Sequence, residues 1–184
     1  MSYYPYPQDS RRKEWQNPDV ILTEIGLKPG NTFVDIGCGP GFFALPAARI
    51  VGTSGKVLGV DINEYAINQL QSQAEQEGLH HLSAAVSSAE EAVLCEECAD
   101  FVFFGIDLHD FRDQHQVLLN AKHMLKPTGF LVNLDWKKEP SSVGPPMSHR
   151  FSQEHAQELI TKAGFHILTT KDAGPHHYII IAKR

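Results

Sequence analysis

Cysteine is scarce. The chain has three among 184 residues, an odd number that does not suggest a disulfide framework. Cys38 stands in a glycine turn where any small side chain suffices. Cys95 and Cys98 form C-x-x-C, but zinc takes four ligands, and neither a second C-x-x-C nor a His pair at ligand spacing follows. Two reduced loop cysteines are expected, with a redox or zinc role as the alternative. Long apolar runs are also missing. None approaches the roughly 18 residues of a membrane span, and the N-terminus, MSYYPYPQDSRRKEW, lacks the apolar centre of a signal peptide. A cytoplasmic protein is therefore expected. An excess of positive charge is absent as well. Sixteen Lys and Arg face 22 Asp and Glu, a net charge of −6, which argues against a broad nucleic-acid footprint. Lys137 and Lys138 are two charges, not a patch. No internal repeat and no second compositional unit is visible. The expected organisation is a flexible segment or lid over residues 1–15 and one domain over 16–184, with Tyr3, Tyr4, Tyr6 and Trp15 as candidate lid residues.

What is present centres on Asn31–Phe43, NTFVDIGCGPGFF. A short apolar strand, Thr32-Phe33-Val34, runs into Asp35 and then the turn Gly37-Cys38-Gly39-Pro40-Gly41, which feeds a helical run over 41–51. A glycine turn between a strand and a helix N-terminus is how open α/β sheets hold nucleotide-like ligands. A dinucleotide fingerprint requires G-x-G-x-x-G; here the third glycine comes one residue early and Phe42 holds the sixth position. The carboxylate of Asp35, two residues before the first glycine, disfavours a pyrophosphate and favours an amine. A nucleoside carrying an ammonium end, such as S-adenosylmethionine, fits both features.

The rest of the chain alternates. Asn17-Pro18-Asp19 has the form of a helix start, with Val20, Ile21 and Ile25 inward and Gly26 as the stop. Lys56–Asp61 reads as a second, fully buried parallel strand. Asp61 closes it, placed to accept hydrogen bonds from both ribose hydroxyls; the alternative is a helix cap. A helix follows over 64–77, then a strand over Leu82–Val86, a short helix over Ala89–Leu94, and a very apolar strand over Ala99–Ile106. Next come a helix over 113–125, a turn at Lys126–Gly129 and a fifth strand over Phe130–Leu134. After a Pro/Gly/Ser loop, Ser152 caps a helix to about Ala163. Phe165–Thr170 and Tyr178–Ala182 close as a hairpin about Gly174-Pro175. A hairpin after a βαβ series suggests one antiparallel strand in the sheet.

The segment VDIGCGPGFFALPAA resembles motif I of class I S-adenosylmethionine-dependent methyltransferases. With Asp61 and the LKPTGF segment in order, the resemblance covers about residues 16–184. It implies a Rossmann-like, seven-stranded, mostly parallel α/β sheet with helices on both faces. The implied cofactor is S-adenosyl-L-methionine, with S-adenosyl-L-homocysteine as product. It would be held by Asp35, Gly37, Cys38, Gly39, Gly41, Asp61, Ile62 on the adenine, Ser88 and Phe104. Where family members often carry an Asp for the adenine amino group, this chain has Ser88. The run DWKKEP…GPPMSHRFS further resembles small members of the ubiquinone/menaquinone-biosynthesis-like branch. His109, at the exit of strand four, is the candidate general base, since histidine titrates near the working pH range. Asp135 is the second candidate catalytic residue, placed to orient a substrate amine or hydroxyl. Trp136 offers an aromatic wall, and His149 and Arg150 either meet an anionic substrate or belong to a solvated loop. The expected partner is a small-molecule methyl acceptor, with no nucleic acid, no membrane span and a possible homodimer. A non-catalytic cofactor-binding or sensor module is the competing reading, and a nicotinamide oxidoreductase fails at Phe42.

Overall fold

The structure, a computed structural model, describes residues 12–184. The expectations about Tyr3, Tyr4 and Tyr6 lie outside the described residues. Seven strands form one sheet: β1 (Thr32–Ile36), β2 (Lys56–Asp61), β3 (Leu82–Val86), β4 (Ala99–Gly105), β5 (Leu125–Trp136), β6 (His166–Ala173) and β7 (His177–Lys183), in the order β3-β2-β1-β4-β5-β7-β6. All pairings are parallel except those of β7, which runs antiparallel to both neighbours. The hairpin therefore contributes one reversed strand, as the sequence led us to expect. The order reverses at β1 and β4, and ligands of such sheets sit outside the carboxyl ends of the strands at that point.

The helices are α1 (Arg12–Trp15), α2 (Pro18–Glu24), α3 (Ala44–Val51), α4 (Glu64–Gln76), α5 (Gln114–Met124) and α6 (Gln153–Lys162). Their starts follow local chemistry. The side chain of Asn17 accepts from the backbone N–H of Asp19 and Val20, Asp113 from Gln116, and Ser152 from His155. Pro46 is tolerated in α3 because it lies in the first turn, where its missing N–H has no intrahelical partner anyway. Alternate strand residues face opposite layers. Val34, Ile36, Val102, Phe104 and Leu131 pack with α5 and α6. Phe33, Val57, Phe101, Phe103 and Val132 pack with α2, α3 and α4.

Four local expectations are corrected. Val20 is half exposed while Leu22 is fully buried, so α2 is rotated from the predicted phase. Ala89–Leu94 forms turns instead of a helix. Lys126–Gly129 lies within β5, as an excursion between the pairs Ala99–Leu125 and Phe101–Phe130. Cys95 and Cys98 are joined as a disulfide. Backbone bonds from Glu97 to the carbonyl of His123 (2.9 Å) and from Cys98 to that of Met124 (3.0 Å) hold their loop against the end of α5. Their Cα atoms stand 6.0 Å apart, within disulfide reach.

Candidate active site

The glycine turn is lashed to the neighbouring strand. Gly37 and Cys38 both donate their N–H to the carbonyl of Val60, at 2.8 and 3.0 Å. Two glycines are sterically required. Gly37 has φ 72°, and a Cβ there would collide with the carboxylate of Asp107. At Gly41, φ is 98° and a Cβ would stand 2.5 Å from Leu70 Cδ1, so this residue admits α4 against the turn. Cys38 is buried with its sulfur toward Gly59, where a Cβ would be 2.8 Å away.

Asp35 is the penultimate residue of β1, beneath this turn. It is 2% exposed, and its Oδ2 has no hydrogen-bond partner. Burial, and then the charge of Asp61, push its pKa up to about 8; the Arg12 guanidinium and the Ala44 N–H only partly offset this. Asp61, at the end of β2, accepts from Gly39 N–H through Oδ2 (2.9 Å) and from Asn63 N–H through Oδ1 (2.8 Å). Asn63, not Asp61, caps α4. Ile62 beside it is 60% exposed, and Val86 at the end of β3 is also exposed, which gives an apolar ledge at two adjacent strand ends. Ser88 is half buried, and its carbonyl accepts from Glu91 N–H at 3.2 Å. Phe104 is fully buried, with its ring edge-on to Phe111 under α5. Its side chain therefore serves the core and not the strand-end cleft.

Past β4 the chain turns sharply. Ile106 takes φ 73°, a strained angle for a β-branched residue, while its N–H is held by the Leu134 carbonyl at 2.7 Å. Asp107 follows, over the glycine turn. Both of its oxygens are buried and unpartnered; burial, then the charges of Asp35, Asp135 and Asp61, raise its pKa well above the carboxylate range. Its aim at Gly37 depends on the Ile106 backbone, which no motif announces. A 3-10 turn, Leu108–Asp110, then brings His109 to Asp135 at the end of β5. His109 Nδ1 and Asp135 Oδ1 are 2.8 Å apart, both side chains almost wholly buried. Burial alone would lower the histidine pKa, but the hydrogen bond and charge of Asp135, with Asp110 3.6 Å from Nε2, leave it raised. The two candidate catalytic residues are thus brought together.

Trp136 is 4% exposed and enclosed by Trp15, His176 and His177 at 5.3, 6.4 and 4.2 Å between ring centres. Arg150 is buried. It donates to the carbonyls of Pro145, Lys137, Glu139 and Val143, and its guanidinium lies 5.2 Å from the Trp136 ring centre. This is neither of the expected roles. Arg150 is the centre that folds the 137–150 loop over Trp136, while His149 is exposed. On the other flank, Arg12 and Trp15 of α1 reach the two halves of the cleft. Trp15 stacks on His177 at 5.3 Å. Arg12 is buried, with its guanidinium 3.7 Å from the centre of the Phe42 ring. It lines a small cavity with Asp35, Gly37, Cys38, Phe42 and Gly105.

The methyltransferase-domain family matches residues 27–167, a span that contains the glycine turn, Asp61 and the His109–Asp135 pair. This chain belongs to that family. A demethylmenaquinone methyltransferase of Bacillus cereus is 26% identical over 73% of this chain; the match covers 55% of that protein, so the chain spans little more than half of its relative's length. A SAM-dependent methyltransferase structure from Aquifex aeolicus superimposes with a TM-score of 0.90 at 29% identity, covering 95% of this chain and 93% of that one. A putative type 11 methyltransferase from Sulfolobus solfataricus gives a TM-score of 0.74 at 26% identity, covering 91% of each chain. The sheet, its order and its single reversed strand are those of the Rossmann-like methyltransferase fold.

Proposed function

We propose that this protein transfers a methyl group from S-adenosyl-L-methionine to a small-molecule acceptor. The observation that carries this reading is the pair of carboxylates at the switch point. Asp35 is buried without a partner for one oxygen beneath a glycine turn, and Asp61 is tied to the same turn through Gly39. A cationic amine beside Asp35 and a dihydroxy sugar beside Asp61 satisfy both, and Ile62 supplies an apolar face for a base. When bound, the cofactor supplies a methyl group activated on a sulfonium. The protein then aligns the acceptor and excludes water.

In this reading His109 takes a proton from an acceptor that arrives protonated, and Asp135 holds its imidazole in place. The neutral, proton-accepting imidazole is populated only above its pKa, which stands above the ordinary 6.5. A base-dependent rate should therefore rise with pH through a limb above about 6.5. Asp135→Asn should move that limb to lower pH, and His109→Asn should remove it. A pH profile identical in wild type and His109→Asn would reject the base. The protein is placed in the cytoplasm. The quinone precursor named for its relatives belongs among the acceptors tried.

The cofactor assignment is tested by titrating S-adenosylhomocysteine into wild type and Asp61→Ala in a calorimeter. Binding should weaken at least tenfold in the variant, and unchanged affinity would overturn the placement of the ribose. Labelled cofactor incubated with a cell extract then separates an enzyme from a cofactor-binding module, because only an enzyme yields a labelled small molecule.

A further inference from the structure

The Cys95–Cys98 bridge has no part in the site described above. It lies just before β4, at the amino edge of the sheet, whereas the candidate site lies at the carboxyl edge. Its two cysteines are only three positions apart in the chain. Closing so short a loop removes little entropy from the unfolded chain, so stapling the fold is a weak reason for the bridge. The loop is also held without its sulfurs. Glu97 N–H donates to the His123 carbonyl at 2.9 Å and Cys98 N–H to the Met124 carbonyl at 3.0 Å. Leu94 N–H donates to Met124 Sδ at 3.3 Å, and Arg184 pairs with Glu97. None of these contacts uses a cysteine side chain, so they keep the two sulfurs adjacent in the reduced form as in the oxidised one.

We propose that Cys95 and Cys98 are a redox-active pair that cycles between dithiol and disulfide by exchange with low-molecular-weight thiols and their disulfides. One thiolate attacks an external disulfide RSSR, which forms a mixed disulfide and releases RS⁻. The second thiolate then attacks the protein sulfur of that mixed disulfide and releases the other RS⁻. The two thiol protons end on two RSH, so the pair gives up two electrons and RSSR takes them. Reduction runs the same steps in reverse. Access agrees with this chemistry. Both cysteines pack on the α5 side of the core yet remain partly exposed. Cys38 makes the contrast: it is buried, and burial, then the charge of Asp35, push its thiol well above the ordinary range, so it lacks both access and thiolate. In the cytoplasm, where the reading above places the protein, disulfides are as a rule transient or redox-sensing and not structural.

The test equilibrates the full chain with glutathione and glutathione disulfide at varied ratios, starting once from reduced and once from oxidised protein. Free thiols are trapped by alkylation and located by mass analysis. The Cys95–Cys98 disulfide should pass from under about a tenth to over about nine tenths of the protein, along one curve from both starting points. Cys38 should stay a free thiol throughout. At least one of Cys95→Ser and Cys98→Ser should stop at the mixed disulfide and carry about tenfold more bound glutathione than wild type, because the second thiol that resolves it is gone. Glutathione on neither variant would overturn the exchange. A pair that stays bridged in excess glutathione is a structural disulfide, and one that stays reduced in excess glutathione disulfide is not redox-active; either result overturns the proposal. So does a reduced wild type that no longer melts cooperatively, since a bridge required for folding cannot cycle.

Discussion

In the proposed site, Asp35 is the residue on which the cofactor's amine end turns. A carboxylate that accepts few hydrogen bonds inside a protein resists ionising, and this one holds its proton up to about pH 8. An ammonium placed beside it favours the ionised form and returns its pKa toward the ordinary range. Cofactor binding near pH 7 should therefore release about one proton from Asp35. Calorimetry in buffers of different ionisation enthalpy measures this directly. Wild type should show release near one proton and Asp35→Asn near zero. No proton release in wild type would mean that the ammonium lies elsewhere. Asp35 was legible in the sequence because it stands at a fixed offset from a glycine turn. Asp107 was not, since its direction depends on a positive φ at Ile106. Arg12 was missed because residues rich in tyrosine, proline and charge surround it and read as a tail.

Among the elements, the glycine turn and the β4 exit act as one unit, because Gly37 lacks the atom that Asp107 would strike. Gly37→Ala should cost about 1–3 kcal/mol from its left-handed backbone alone, with further loss from the clash. Gly37→Ala/Asp107→Ala should regain the clash part but not the backbone part. Denaturant unfolding of both variants separates the two contributions, and equal stability of single and double variants would remove Asp107 from contact with the turn. The loop over 137–150 illustrates a different limit. Its Pro/Gly/Ser composition announced a loop, yet not that Arg150 would give it a centre by bonding four of its carbonyls. Those partners are 5 to 13 residues away with no periodicity, so no pattern in the chain marks them.

For the whole molecule, the buried ionisable groups set a pH dependence. Asp35 and Asp107 have folded pKa values above their unfolded ones, so their contribution is fully present below about pH 3.8 and is lost as pH rises toward 8 and beyond. His177 acts in the opposite sense. Burial, then His176 and Arg12, lower its pKa to about 3, so stability falls as pH drops below 6.5. Above pH 6.5 the carboxylates act in the same sense as His109, whose raised pKa also makes its contribution fade as pH rises. Melting temperature should fall from pH 6.5 to 8.5, and more shallowly in Asp35→Asn; parallel slopes would exclude Asp35 as a cause.

By itself the sequence determined the alternation of strands and helices, the reversed final strand, the glycine turn and the acids at or next to the ends of β1 and β2. These are local patterns, set by side-chain period, turn chemistry and fixed offsets, and a linear reading recovers them. Only the tertiary structure decided which distant groups meet. It joined His109 to Asp135 across 26 residues, closed Arg150 inside its own loop, and set Arg12 in the same cavity as Asp35. Such meetings depend on strand order and on the angle at which each strand releases its chain. Because the carboxyl ends of β1, β2, β4 and β5 converge on one edge of the sheet, residues far apart in the chain become one site. In the proposed reading the glycine turn marks the ligand's amine end, and the fold brings the Arg12 guanidinium into the same cavity.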